Sequence, residues 1–199
     1  MGKIPVILLA AGSSSRMGQP KQLLPWVELT LIEHQVQILL TTGEPVIVVL
    51  GAHADLILPI IDKYPVTIVV NHKWESGMGG SVACGIKELE QKEADADGAL
   101  IALVDQPLIP MRHFEAMLKA FEKGDQQIIA STSTEGWLGV PALFDKCYFS
   151  ELRNLQGEKG AKILIQQYSN RIKTLECNEI TKDIDTFESY QNLCREQFN

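Results

Sequence analysis

The sequence predicts an α/β fold, a Rossmann-like, mostly parallel sheet with helices on both faces, and three observations carry that prediction. Short runs rich in Val, Ile and Leu alternate with longer stretches of helical spacing to the end of the chain, the order of a parallel sheet wrapped by helices. The early runs are continuously apolar rather than alternating, as strands covered on both faces are. At 199 residues, with 45% apolar and 22% charged side chains, the chain has the material for one well-buried domain over residues 1–199.

Taken in order, residues 4–9 are the first strand, and a glycine- and hydroxyl-rich loop follows. Residues 29–40 carry apolar side chains at helical spacing and stop near Gly43. Residues 45–50 are a second strand, 55–63 a helix that Pro59 interrupts early, and 66–70 a third strand. Residues 81–92 are an amphipathic helix, 93–98 an acidic loop of small residues, and 99–104 the next strand. A helix over about 111–123 and a strand around 127–131 follow. Residues 131–139, polar and with two glycines, form a mobile loop in this reading, and 139–144 a short strand. Helices over 146–154 and 159–168, a strand over 172–177, an acidic segment at 183–185 and a helix from about Phe187 close the chain. There is no internal repeat, low-complexity tract or linker.

The formal net charge of −7 excludes a general nucleic-acid or anionic-membrane surface, so cations clustered near the first loop serve a local purpose. Cys84, Cys147, Cys177 and Cys194 form no CxxC pair and no metal-finger spacing with His34, His53, His72 or His113. They are expected to be reduced, structural thiols of a cytoplasmic protein. The first residues imitate a signal peptide, with one cation ahead of an apolar run, but cleavage there would destroy the loop. No run approaches transmembrane length, so no membrane partner is expected.

The stretch Leu9-Ala-Ala-Gly12-Ser-Ser-Ser-Arg16-Met-Gly18-Gln-Pro-Lys21 has the chemistry of a phosphate cradle. It leaves a parallel strand at its carboxyl end, where open α/β sheets bind ligands. Glycines let main-chain N–H groups approach an anion, the serines add hydroxyl donors, and Arg16 and Lys21 add full charge. Neither the Walker spacing nor the dinucleotide Gly-x-Gly-x-x-Gly spacing is present. The competing reading is an ordinary strand-to-helix turn with solvated cations.

Asp105 stands where the apolar strand over 99–104 ends, with Pro107 just beyond, a good place for a ligand to a hard cation. The same position could cap a following helix. Asp183 and Asp185, two apart, point to one face of an extended segment, so one can reach a metal shared with Asp105. For Asp185 a helix N-cap is again the alternative. Between these lies Asn71-His-Lys-Trp74-Glu-Ser-Gly77-Met-Gly-Gly-Ser81, a second glycine-rich turn. Main chain at Gly79 and Gly80 and the Ser81 hydroxyl suit recognition of a flat base edge; a flexible helix start with Trp74 as a core anchor is the bland alternative.

Residue by residue, the first loop matches L-A-A-G-x-S-x-R-M-G-x-x-K, and the chain therefore resembles the molybdenum cofactor cytidylyltransferases. That family is a branch of the nucleotidyltransferases that also holds guanylyl-transferring cofactor enzymes and sugar-phosphate and methylerythritol-phosphate members. The resemblance covers residues 9 to about 190, including the segments around Asn71, Trp74, Gly77, Met78 and Ser81 and the Asp183-Ile-Asp-Thr-Phe-Glu188 stretch, where Phe187 replaces the family's proline. It implies a nucleotidyltransferase domain in which Arg16 and Lys21 are catalytic. It implies nucleotide contacts from Leu9, Ala10, Ala11, Gly12, Ser13, Ser15, Gly79, Gly80 and Ser81, and Mg2+ on Asp105 and Asp185. The segments Gly139-Val-Pro141 and Gly157-Glu-Lys159-Gly160-Ala resemble those beside the acceptor, with Glu158 where the family often has Asp and Lys162 where it often has Arg.

The activity so implied is transfer of CMP from CTP to the terminal phosphate of molybdopterin, with pyrophosphate released and molybdopterin cytosine dinucleotide formed for an apo molybdenum hydroxylase. An ionised phosphate nucleophile needs no histidine base, so none of the four histidines is assigned to catalysis. Three alternatives stay open: a different phosphorylated acceptor, a non-catalytic cofactor chaperone, and a nicotinamide-binding reductase. The last is disfavoured by the missing glycine fingerprint.

Overall fold

A computed structural model of the chain describes residues 2–181 and 183–198. Its elements run β1 (Val6–Ala10), β2 (Pro25–Trp26), β3 (Leu29–Thr30), α1 (Leu31–Leu40), β4 (Val46–Leu50), α2 (Ala54–Ile61), β5 (Thr67–Val70), α3 (Met78–Lys92) and β6 (Gly98–Leu103). They continue α4 (Met111–Ala120), β7 (Ile128–Thr132), β8 (Leu138–Asp145), α5 (Phe149–Arg153), α6 (Lys162–Gln167), β9 (Ile172–Glu176) and α7 (Phe187–Phe198). Seven strands form one sheet in the order β5-β4-β1-β6-β8-β7-β9, and β2 and β3 form a separate hairpin. Pairings β1–β4, β1–β6, β4–β5 and β7–β9 are parallel; only β8 runs antiparallel to its neighbours β6 and β7. The sequence expectation of a single, mostly parallel α/β sheet holds.

The apolar runs explain the layering. Along β1, Val6, Leu8 and Ala10 face one core with Ile32, Val36, Leu39, Ile57, Phe114 and Met117 from α1, α2 and α4. Ile7, Leu9 and Ala11 face the other, with Val82, Ile86, Leu89, Leu152, Leu164 and Ile165 from α3, α5 and α6. Alternate residues point to opposite faces, and each fully buried aliphatic side chain contributes about 1.5–3 kcal/mol, so β1 is the keel of the sheet. A third, smaller cluster joins Met17 of the first loop to Leu24, Trp26, Leu31, Ile184 and Leu193. It ties the loop to the acidic segment near the C-terminus. No helix among the described residues is long and apolar enough to cross a membrane.

Several boundaries differ from the sequence reading, each for a local reason. Residues 29 and 30 pair in the hairpin, and α1 starts only after Thr30, whose hydroxyl accepts the Glu33 N–H while Glu33 reaches back to the Thr30 N–H at 3.0 Å. Glu33 also takes Lys63 at 2.7 Å; burial opposes its charge, but these bonds hold its carboxyl down at about 2. Helix α2 runs through Pro59 instead of breaking there. Helix α3 begins at Met78, three residues earlier than its amphipathic pattern suggests. The stretch 131–139 is not one long loop: β7 and β8 are joined by a turn over 133–137, closed by Ser133 N–H to the Trp137 carbonyl at 3.1 Å and Thr132 Oγ1 to the same carbonyl at 2.8 Å. Strand β8 is therefore eight residues long, not short.

Candidate active site at the carboxyl edge of the sheet

Strand β1 lies between β4 and β6, and its chain leaves the sheet at Ala11 into the first loop. Gln22 holds that loop from beneath. It is fully buried, and its Nε2 donates to the carbonyls of Ala10 and Gly12, both at 2.9 Å. Ser14 Oγ donates to Gln22 Oε1 at 3.4 Å and accepts the Lys21 N–H at 3.0 Å. His53 Nε2 lies 3.0 Å from the Ser13 carbonyl, which can only accept, so this nitrogen carries the proton. Ser14 and Gly18 sit in the left-handed region at φ 55° and 70°. With the carbonyls turned inward to these partners, the main-chain N–H groups of residues 12–16 donate to no protein acceptor among the described residues. A run of open N–H groups of this kind is an anion site.

The carboxylates meet the loop's cations. Lys21 Nζ lies 2.5 Å from Asp105 Oδ2, 3.3 Å from the Ile184 carbonyl and 3.8 Å from Asp185 Oδ1, and Arg16 Nη2 lies 3.3 Å from Asp185 Oδ2. The segment carrying Asp185 is fastened by Ile184 N–H to the Asp105 carbonyl at 2.9 Å and by the burial of the Ile184 side chain. Capping of α7 falls to Thr186, whose Oγ1 accepts the Ser189 N–H at 3.1 Å, so the Asp185 carboxyl is left to the cations. Asp105 caps nothing either, since α4 begins beyond Pro110. Asp183 is exposed as a residue, yet its carboxyl is pushed up to about 6, first by lost hydration and then by Asp105 and Asp185, with the Gln106 amide opposing.

A metal fits this arrangement. Asp105 Oδ1 is buried with no hydrogen-bond partner, an acceptor that the protein leaves unsatisfied. No group of three or more His, Cys, Asp or Glu side chains converges as a ready cage among the described residues. Two carboxylates without a cage suit a hard cation that completes its shell with water and phosphate oxygens.

Loop and carboxylates open into one cavity of about 490 Å3, whose further lining comes from Trp74, Glu75, Gly77, Met78, Ser81, Leu103 and Glu158. A cleft of that size, with apolar walls as well as cations on the loop and carboxylates at the strand ends, accommodates a small phosphorylated ligand.

The MobA-like NTP transferase domain model matches residues 6–172. The chain belongs to that family. A nicotine blue oxidoreductase of Paenarthrobacter nicotinovorans is 31% identical over 196 residues, 94% of each chain. A probable molybdenum cofactor guanylyltransferase of Bacillus cereus is 31% identical over 120 residues, 59% of this chain and 56% of that one. Among solved structures, Rv0371c of Mycobacterium tuberculosis superposes with a TM-score of 0.83 at 25% identity over 98% of both chains. Its complex with manganese superposes at 0.80 and 24% identity, over 97% of this chain and 98% of that one.

As a MobA-like domain, the chain brings most of its expected site together. Leu9, Ala10, Ala11, Gly12, Ser13, Ser15, Arg16, Lys21, Ser81, Asp105 and Asp185 all line the cavity. Gly79 and Gly80 do not. The Gly79 N–H is taken by the Gly157 carbonyl at 2.8 Å, and a Cβ there would come within 2.7 Å of the Gln156 carbonyl; Gly80 packs on Ser76. Gly77 and Gly79 seat the 156–158 backbone against the start of α3. Of the acceptor segment, only Glu158 reaches the cavity, whereas Gly157, Lys159 and Gly160 form its outer turn. Gly139 and Pro141 are parts of β8: the Trp137 ring covers Gly139, and the Pro141 carbonyl accepts from Ser131 at 2.7 Å, so neither lines the cavity. The residue that sequence reasoning missed most clearly is Gln22. A glutamine beside the loop's lysine looks like surface, and only the inward-turned carbonyls reveal why an amide belongs there.

Proposed function

We propose that this chain transfers CMP from CTP to the terminal phosphate of molybdopterin carrying molybdenum, releasing pyrophosphate and forming molybdopterin cytosine dinucleotide. The observation that carries the proposal is the convergence on one cavity of a loop with open N–H groups and of Arg16 and Lys21 paired with Asp185 and Asp105. Membership of the MobA-like family supplies the reaction class, and the guanylyltransferase relative supports a molybdenum cofactor as acceptor.

In this reading the N–H groups of residues 12–16 and the two cations bind the nucleotide's phosphates and stabilise the charge that collects on departing pyrophosphate. Mg2+ held by Asp105 and Asp185 would neutralise the phosphates and align them for in-line displacement. The acceptor's phosphate oxygen forms the new bond to the α-phosphorus as the bond to pyrophosphate breaks. No side chain need take a proton. Burial pushes the imidazoles of His34 and His113 below their usual range, which suits structural roles, and His53 is occupied in holding the loop. We place the acceptor toward Glu158 and its turn, with Lys159 as a candidate for its phosphate, and Gly157, Gly160, Gly139 and Pro141 as framework. Ala11 beside the base is expected to crowd a purine, giving CTP a preference over GTP of about ten- to a few-hundredfold in kcat/KM. We also place the enzyme in the cytoplasm, with an apo molybdenum hydroxylase as recipient.

One relative favours a second reading, because the protein aligned over 94% of both chains is named an oxidoreductase. Incubating the purified chain with each nucleoside triphosphate, Mg2+ and molybdopterin, and reading pyrophosphate and product mass, separates the two. Pyrophosphate with CTP and a cytidylyl mass gain on the acceptor is the expected result. Absence of pyrophosphate with every triphosphate, together with binding of NAD(H) in a parallel titration, would support the reductase; nucleotide or pterin binding without turnover would support a chaperone.

A further inference from the structure

Lys21 stands where a divalent cation would share its ligands. Its ammonium contacts Asp105 Oδ2 at 2.5 Å and faces Asp185 Oδ1 at 3.8 Å, while Asp185 Oδ2 faces Arg16 at 3.3 Å. Both oxygens of Asp185 are therefore turned toward protein cations. The Lys21 and Asp105 side chains are only 13% and 18% exposed, so water and salt screen this pair poorly, whereas Arg16 is 68% exposed and well screened. A divalent cation entering the free site would meet the ammonium at short range with no new negative charge to compensate. A nucleotide changes that balance, because its phosphates offer the ammonium another partner.

We infer that Lys21 is the resident counter-cation of the Asp105–Asp185 pair, holding that pair against divalent cations until the nucleotide's phosphates draw the ammonium away. The inference rests on the reading of Asp105 and Asp185 as metal ligands. The anatomy permits the exchange without moving the loop. Lys21 is anchored by its main chain to Ser14 Oγ at 3.0 Å, in the same loop whose N–H groups are open, and its flexible stem can carry a point charge from carboxylate to phosphate. Asp105 Oδ1, buried and unpartnered, is an unsatisfied acceptor that a cation replacing the ammonium could share. Metal and nucleotide then bind cooperatively, each raising the other's affinity by the same factor, with Lys21 as the coupling element.

The test measures Mn2+ binding to the full chain by the paramagnetic resonance of the free ion, with and without a non-hydrolysable CTP analogue, counting only the Mn2+ taken up beyond what the analogue alone chelates. Wild type should bind Mn2+ weakly alone and at least about tenfold more tightly with the analogue. Lys21→Met keeps the stem without the charge and should bind Mn2+ alone at least about tenfold more tightly than wild type, with the analogue adding less than about threefold. Lys21→Arg, which retains charge, should remain as weak as wild type, and Lys21→Gln serves if the Met variant fails to melt cooperatively. Mn2+ affinity in the neutral variants equal to or below that of wild type overturns the inference while leaving the metal ligands in place. Asp105→Asn distinguishes the other failure: nucleotide-dependent Mn2+ binding undiminished in that variant overturns the ligand assignment, and the inference with it.

Discussion

Two glycine-rich turns meet at the same edge of the sheet and use glycine for opposite purposes. Around Gly12 and Gly18 a Cβ would find nothing within 4 Å, and the N–H groups of residues 12–16 have no protein partner among the described residues. Around Gly77 and Gly79 a Cβ would fall 2.6 Å from the Gly157 carbonyl carbon and 2.7 Å from that of Gln156, and the Gly79 N–H is already spent on Gly157. The first turn leaves its backbone N–H groups open at the cavity; the second gives its backbone to the protein, building a wall of the same cavity. Composition alone does not separate these cases, because close approach of another backbone and close approach of a phosphate both demand a missing side chain.

The largest effect expected is on the first turn's charge. Arg16→Ala or Lys21→Ala should lower kcat at least about a hundredfold, the scale of a lost transition-state donor, while thermal unfolding shows the fold retained. Near-wild-type turnover in either variant would remove that residue from the phosphate site. The second turn should respond the other way. Gly79→Ala forces a Cβ against backbone and should cost about 1–3 kcal/mol in urea unfolding, whereas Gly12→Ala should stay within about 0.5 kcal/mol and instead raise KM for the nucleotide. Equal destabilisation by both would break the comparison.

The smallest effect concerns the acidic segment that faces the first turn. The Asp183 carboxyl titrates at about 6 in the folded chain against an ordinary 3.8, so between those pH values the folded state holds a proton that the unfolded state has released. Its contribution to stability therefore falls as pH rises through that window. Asp183→Asn should flatten this part of the profile of Tm against pH and raise Tm at pH 7.5 by about 1–2 °C. A profile identical to wild type would show that neither burial nor Asp105 and Asp185 raise the carboxyl.

What was legible in the sequence divides along physical lines. The strands of the central sheet were plain because burial on both faces leaves an unbroken apolar run, as in Val46–Leu50. The placing of the first loop and of Asp105 beside one cavity was legible because both follow strands at the carboxyl edge of the sheet, whereas the meeting of Asp185 with them rests on long-range contacts that the spacing alone leaves open between Asp183 and Asp185. The hairpin over residues 25–30 was hidden, since Leu29 also suits the helical pattern that follows. The length of β8 was hidden because its antiparallel pairing with β6 and β7 is a long-range choice, and Gly139 looks like a break where it is room for the Trp137 ring. Gln22 and the packing of Gly79 are hidden because their partners are the main-chain carbonyls of Ala10 and Gly12 and the distant backbone at Gln156 and Gly157, which residue type does not announce.

Hydrogen exchange of the main-chain amides, with and without CTP and Mg2+, tests the contrast between the two turns most directly. Amides of residues 12–16 should exchange fast in the free chain and gain protection on nucleotide binding, while the Gly79 amide should be slow in both states. Nucleotide-dependent protection confined to residues 77–80, with residues 12–16 unchanged, would contradict that contrast.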